Sequence, residues 1–194
     1  MSFTGETLNS PTGAHLRLRV SAPDGPVRGV VQIHHGLSEH SARYARFADY
    51  LASRGFAAAA HDHRGHGETA APTAKLGHFA DSAGWDAVVE DALAVETALH
   101  TRFPEAPLIV FGHSMGGVIA MTHAMARGGD LDGLAIWNAN LALGGRAGLM
   151  RAVLGAESLF KKADAPSTWM DALSFKAWAG RIKNARTRFD WLSR

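Results

Sequence analysis

Apolar residues along this chain recur in two rhythms, one of period two and one near 3.6, and the rhythms alternate. Across His15–Ser21, Leu16, Leu18 and Val20 interleave with Arg17 and Arg19, the pattern of a strand with one buried face. Asp24-Gly25-Pro26 supplies a turn. Val27–His34 follows with Val30, Val31 and Ile33 in a nearly continuous apolar run, which predicts a strand buried on both faces. Ser41 is placed to cap a helix in which Tyr44, Phe47, Ala48 and Leu51 share a side and Gly55 is the stop. Phe56–Ala60 is short, apolar and bounded by turn residues. Alanine has little strand propensity, so a strand there is predicted by its place in the alternation. Trp85, Val88, Val89, Ala92, Val95 and Leu99 then line one side of an amphipathic helix, away from Asp86, Glu90 and Thr97. Pro104 and Pro107 close it. Leu108–Phe111 reads as a strand, Val118–Ala126 as a helix running to Gly128-Gly129, and Gly133–Trp137 as a further apolar strand. Such alternation predicts an α/β fold, a mostly parallel sheet with helices on both faces.

The rhythm changes after Gly144-Gly145. Leu149, Val153 and Leu154, then Met170, Leu173, Ala177 and Trp178, suggest short amphipathic helices with no strands between them. Residues 1–144 are therefore read as the core and residues 145–194 as a helical cap laid over the strand ends. Charge follows the same division. Residues 1–145 hold 10 Lys/Arg against 14 Asp/Glu, whereas residues 146–194 hold 10 against 4. A basic segment of this kind is either a solvated face or a surface that meets anionic lipid or an acidic substrate. No nucleic-acid-binding motif accompanies it, so nucleic acid is not an expected partner. With no cysteine there is neither a disulfide framework nor a thiolate metal site. The start Met1-Ser2-Phe3-Thr4-Gly5-Glu6 shows no signal peptide. No segment reaches the ~20 apolar residues of a membrane span. A cytoplasmic protein, peripheral at most at the inner face of the membrane, is the expectation.

Candidate chemistry concentrates in three loops. In Leu108-Ile109-Val110-Phe111-Gly112-His113-Ser114-Met115-Gly116-Gly117 an apolar run ends in Gly-x-Ser-x-Gly and leads into a helix, the context of a strand–turn–helix nucleophile elbow. Side chains at Gly112 and Gly116 would clash with neighbouring backbone in so sharp a turn. Ser114 would be strained, with its hydroxyl clear of the sheet and beside a helix N-terminus able to bind a developing anion. His34-His35-Gly36-Leu37-Ser38-Glu39-His40 follows another parallel strand and so reaches the same sheet edge. The backbone N–H groups of Leu37 and Met115 are the candidate oxyanion donors, each typically worth ~3 kcal/mol in the transition state. His61-Asp62-His63-Arg64-Gly65-His66-Gly67 invites a metal reading through His61, His63 and His66. It resembles the His-x-His-x-Asp-His loop of binuclear metallohydrolases, but Gly65 stands where that motif has its carboxylate. The structural alternative is a Gly-rich turn in which Asp62 and Arg64 tie adjacent loops together.

Taken in order, His35-Gly36-Leu37-Ser38-Glu39-His40-Ser41, Asp62-His63-Arg64-Gly65-His66-Gly67 and Gly112-His113-Ser114-Met115-Gly116-Gly117 resemble the motifs of α/β-hydrolases of the monoacylglycerol lipase and lysophospholipase group. The resemblance implies a serine esterase acting on a small lipid or ester, with no cofactor and a helical cap over an apolar acyl pocket. The family order is Ser, then Asp, then His, yet ten of the eleven histidines precede Ser114. The one that follows, His123, lies nine residues into the next helix. Asp130, Asp132, Asp164, Asp171 and Asp190 cannot serve as triad acid without that histidine. No complete triad is expected in these residues. Gly133–Trp137 as the last strand and an aromatic C-terminus suggest a longer chain. A continuation of roughly 80–110 residues, from the ~250 or more such a fold with a cap needs, would supply two strands, the acid and the histidine. Three functions remain open at this point: a serine ester hydrolase, a non-catalytic or inactive relative that keeps the pocket, and a metallohydrolase built on the histidine loop.

Overall fold

In a computed structural model of the chain, residues 3–127, 131–141, 146–162 and 167–172 are described, together with residues 144, 165, 184 and 186. The chain divides into two compact units, Met1–Leu141 and Ala142–Arg194.

The first unit is a six-stranded sheet in the order β1-β2-β4-β3-β5-β6. β1 (Thr4–Asn9) and β2 (His15–Ser21) form a hairpin, and β2 runs antiparallel to β4 (Phe56–His61). β4, β3 (Gly29–His34), β5 (Leu108–His113) and β6 (Gly133–Trp137) are mutually parallel, so their C-terminal ends share one edge. β1 has no counterpart in the sequence reading, because its Thr-Gly-Glu-Thr-Leu-Asn carries no apolar alternation and all but Leu8 is exposed. Pairing with β2 alone makes it a strand.

β3 is buried throughout, as its apolar run demands. Its Val31 and Ile33 pack towards α1 (Ala45–Ser53), with Ala48, Ala58 and Ala60. Val30 faces the other side, with Ala57, Ala59, Leu108 and the Val95 and Leu99 of α2 (Gly84–Arg102). Helices therefore cover both faces of the sheet. The four alanines of β4 are fully buried; small side chains there let helices on either side approach closely, which outweighs their weak strand propensity. α3 (Met115–Ala126) packs on β5 and β6, and Gln32 of β3 donates from Nε2 to the Ala92 carbonyl of α2 at 2.9 Å.

Four local expectations are corrected. Ser41 does not cap a helix: Ser41–Tyr44 is a 3-10 turn leading into α1, and its hydroxyl is drawn to a buried carboxylate. Arg19 is buried, although β2 was expected to keep one solvent face, because Asp62 and Glu68 pair with it. Trp85, in the first turn of α2, stays exposed, while Asp91 and Glu96 of the same helix are buried. α3 starts at Met115, not Val118: its first turn needs Gly116 for close approach to the His34 and His35 carbonyls and Gly117 for close approach to the Ala139 and Ile136 side chains. β6 stands at the edge of the described sheet with Leu134 and Trp137 exposed.

The second unit holds α4 (Arg146–Ser158) and the short α5 (Thr168–Asp171). Glu157 joins them by accepting from Lys161 Nζ at 2.7 Å and from the Thr168 N–H at 2.9 Å. The expected helix face through Leu173, Ala177 and Trp178, like Gly128-Gly129, lies outside the described residues. No helix among the described residues is long and apolar enough to cross a membrane.

Candidate active site at the ends of the parallel strands

β5 ends at His113 and α3 begins at Met115, so Ser114 carries the whole turn between them. Its φ of 54° and ψ of −116° lie where L side chains rarely go. Two backbone bonds hold it there: the Ser114 N–H donates to the Trp137 carbonyl at 3.0 Å, and the Gly117 N–H donates to the Ser114 carbonyl at 3.0 Å. A Cβ on Gly112 would run into the Gly116 carbonyl, and one on Gly116 into the carbonyls of His34 and His35. The turn thus needs glycine at both positions, and it seats α3 against the end of β3. Ser114 is half-buried, and no described residue hydrogen-bonds its hydroxyl. As the first residue of α3, Met115 has an N–H with no intrahelical acceptor.

The loop after β3 meets the same edge. Gly36 packs against the His113 carbonyl and imidazole, which places Leu37 and Ser38, the latter at φ 62°, beside the β5–α3 turn. Glu39 is the centre of this loop. Its Oε1 accepts from the Gly36 N–H, from Tyr44 Oη at 2.9 Å and from His113 Nδ1 at 3.0 Å, while Arg43 pairs with Oε2 at 3.2 Å. Burial alone would push this carboxyl up; the bonds from His113, Gly36 and Tyr44 outweigh it and hold the pKa down to about 2. His35 is fixed as a neutral ring. Its Nδ1–H donates to the Gly36 carbonyl at 2.8 Å and its Nε2 accepts from the His63 N–H at 2.9 Å. Burial takes its pKa down to about 3. Phe47, Phe111, Trp137, Tyr44, Arg43, Glu39 and His113 line a cavity of about 400 Å³ next to this loop.

The loop after β4 is tied down on both sides. Asp62 Oδ1 accepts from the Ser41 N–H at 2.7 Å and from its hydroxyl at 2.5 Å, and Oδ2 accepts from the Glu68 N–H at 2.8 Å. Arg64 Nε donates to Asp91 Oδ2 at 2.8 Å, and Ser10 and Thr12 donate to Oδ1 of the same carboxylate. Both members of this buried pair are satisfied, the condition under which such a pair is tolerated. His61, His63 and His66 do not converge as a metal set. His61 and His63 turn inward, whereas His66 lies against His35 and Phe79 and bonds the Arg64 carbonyl.

His123 is buried in α3 beside His34 and Glu96. Asp132 accepts from the Leu108 N–H at 2.8 Å, at the start of β5 and so at the opposite end of that strand from Ser114. Asp130, Asp164 and Asp190 lie outside the described residues. Glu39, Asp91 and Glu96 are not among the residues that the sequence motifs single out. Gly36-x-x-Glu39 spacing is a signal for the first. For the others the signal is three- and four-residue spacing from Val88 and Ala92 on the buried side of α2.

This arrangement has clear relatives. The family described as "Serine aminopeptidase, S33" matches residues 25–194. The chain belongs to this family. Its fold is that of the α/β-hydrolases. Human monoglyceride lipase is 32% identical over 124 residues, which is 64% of this chain and 39% of that protein. Monoacylglycerol lipase of Mycolicibacterium smegmatis is 33% identical over 124 residues, 64% of this chain and 42% of that protein. A thermostable carboxyl esterase of Bacillus coagulans, solved with glycerol, superposes with a TM-score of 0.78 at 27% identity, covering 99% of this chain and 62% of that one. The chain matches about two fifths of the length of these curated relatives.

Proposed function

We propose that the protein is a serine carboxylic-ester hydrolase acting on a small lipid or ester of the monoacylglycerol or lysophospholipid kind. The observation that carries this reading is Ser114, held at φ 54° on the strand–helix turn of a chain whose relatives are named lipases and esterases. Ser114 Oγ attacks the ester carbonyl. The developing oxyanion sits at the N-terminus of α3, where the Met115 N–H and the Leu37 N–H are its donors, and the alcohol leaves from an acyl-serine that water then hydrolyses. A hydroxyl needs a base to act near neutral pH, and no described residue of the protein bonds this one. No metal or cofactor takes part in these steps.

The test uses that protein. A fluorophosphonate probe labels Ser114, and Ser114→Ala removes both labelling and hydrolysis of a monoacylglycerol. Leu37→Ala, which keeps the backbone donor, retains measurable turnover. Hydrolysis that survives Ser114→Ala removes the serine mechanism. Turnover of an aminoacyl amide in preference to the ester would favour the peptidase activity in the family's description instead.

A further inference from the structure

The loop after β4 contributes to a second cluster, on the side of the sheet away from α1. His34 closes β3 and His61 closes β4, one step beyond the paired Ile33 and Ala60, so both project to the face covered by α2 and α3. His63 joins them from the loop. One ring nitrogen of each lies within 4.8 Å of the others, and the three residues are 0–1% exposed. We infer that His34, His61 and His63 form a buried binding site for a divalent transition-metal ion of the zinc or cobalt class.

Hydrogen bonding fixes the protonation that such a site needs. The Glu96 carboxylate, which also pairs with Arg127 at 2.7 Å, accepts from His123 Nε2–H. His123 Nδ1 is then the acceptor face of a neutral ring, and it meets His34 Nε2 at 3.3 Å. His34 therefore carries its proton on Nε2 and presents a bare lone pair at Nδ1. That nitrogen has no partner, and neither has any of the four ring nitrogens of His61 and His63. Buried polar atoms left unpaired are costly, and one ion would take a lone pair from each of the three rings. A ligating imidazole that donates its other N–H to a fixed acceptor is oriented and made more basic; here the acceptor is His123, itself held by Glu96.

The donor set names the ion. Three imidazoles with no oxygen donor suit zinc, cobalt, nickel or copper and are poor for magnesium or calcium. Bonds of about 2.1 Å in a tetrahedral site hold nitrogens ~3.4 Å apart, so the rings turn inward on binding. The ion clamps the C-terminal ends of β3 and β4, from which the Gly36–Glu39 and Asp62–Gly67 loops spring. It sits behind the sheet edge, apart from the serine chemistry. His66 stays outside it.

The site is closed, so the ion enters as the chain folds. The test unfolds the purified protein in guanidinium with a chelator and refolds it with cobalt(II) or zinc(II). Metal per chain is then measured after gel filtration, with the visible spectrum of the cobalt form and the thermal midpoint. Wild type and His66→Gln retain about one ion per chain, show the absorption of a nitrogen-rich tetrahedral cobalt site and melt higher with metal than without. His34→Gln and His63→Gln lose the ion and its spectrum, and Glu96→Gln weakens binding by about 10- to 100-fold. Wild type that refolds by circular dichroism yet holds no ion overturns the proposal, as does a His34→Gln/His63→Gln double variant that binds like wild type. Should the single variants fail to fold, the wild-type metal content and cobalt spectrum decide it alone.

Discussion

Ser114 is the residue at which local strain and the proposed chemistry coincide. A non-glycine residue held in a disfavoured backbone region costs of order 1–3 kcal/mol, and here the close contacts around Gly112 and Gly116 enforce it. The strain can be separated from the hydroxyl. Ser114→Ala removes the proposed nucleophile and keeps the strain. Ser114→Gly removes both, less the ~0.5–1 kcal/mol entropic penalty that glycine brings. By guanidinium denaturation Ser114→Gly is therefore more stable than Ser114→Ala by about 1 kcal/mol, while both lack hydrolysis. Equal stability, or a more stable alanine variant, would mean that the turn is unstrained.

At the scale of elements, Glu39 joins the β3–α1 loop to the β5–α3 turn through Gly36, Tyr44 and His113. Its folded pKa of about 2 lies below the ordinary 4.5. Between those values the unfolded chain binds the extra proton, so stability rises with pH across the window. The contribution is fully present above pH 4.5 and is lost as pH falls towards 2. Its size follows from the shift, about 3 kcal/mol at roughly 1.4 kcal/mol per unit, for a side chain only 5% exposed. Glu39→Gln is accordingly less stable than wild type by about 1–3 kcal/mol at pH 7, and the gap shrinks by more than half at pH 3. Denaturation at both pH values checks this; a gap that does not change with pH would show that the hydrogen bonds do not depend on the ionised form.

The whole molecule is electrically lopsided, with the 10 to 4 excess of basic over acidic residues confined to residues 146–194. Leu149, Leu154, Leu159 and Phe160 are exposed in that unit. Basic and exposed apolar groups together suit a lipid surface, in keeping with the proposed lipid substrate. Sedimentation with vesicles should show binding that rises with anionic lipid content and falls as salt is added. Equal partition onto neutral and anionic vesicles would leave a solvated basic face.

How far the sequence reached is seen at particular residues. Apolar patterning marked β2, β3, β5, β6, α1 and α2, because burial of one face or two imposes its own spacing, and β4 followed from its place in the alternation. Gly112-x-Ser114-x-Gly116 after a strand marked the tight strand–helix turn at Ser114, because that geometry is local and admits few residue types. Arg19, Ser41, Glu39, Asp91 and the inward histidines were not legible in this way. Asp62 claims Ser41 and Arg19 from 21 and 43 positions away. His34 meets His123 across 89 positions, and it joins His61 and His63 because β3 and β4 are neighbours in the sheet. Burying a polar side chain is costly unless a partner receives it, and strand order rather than sequence spacing brought Asp62 to Ser41 and Arg19, and His34 to His123.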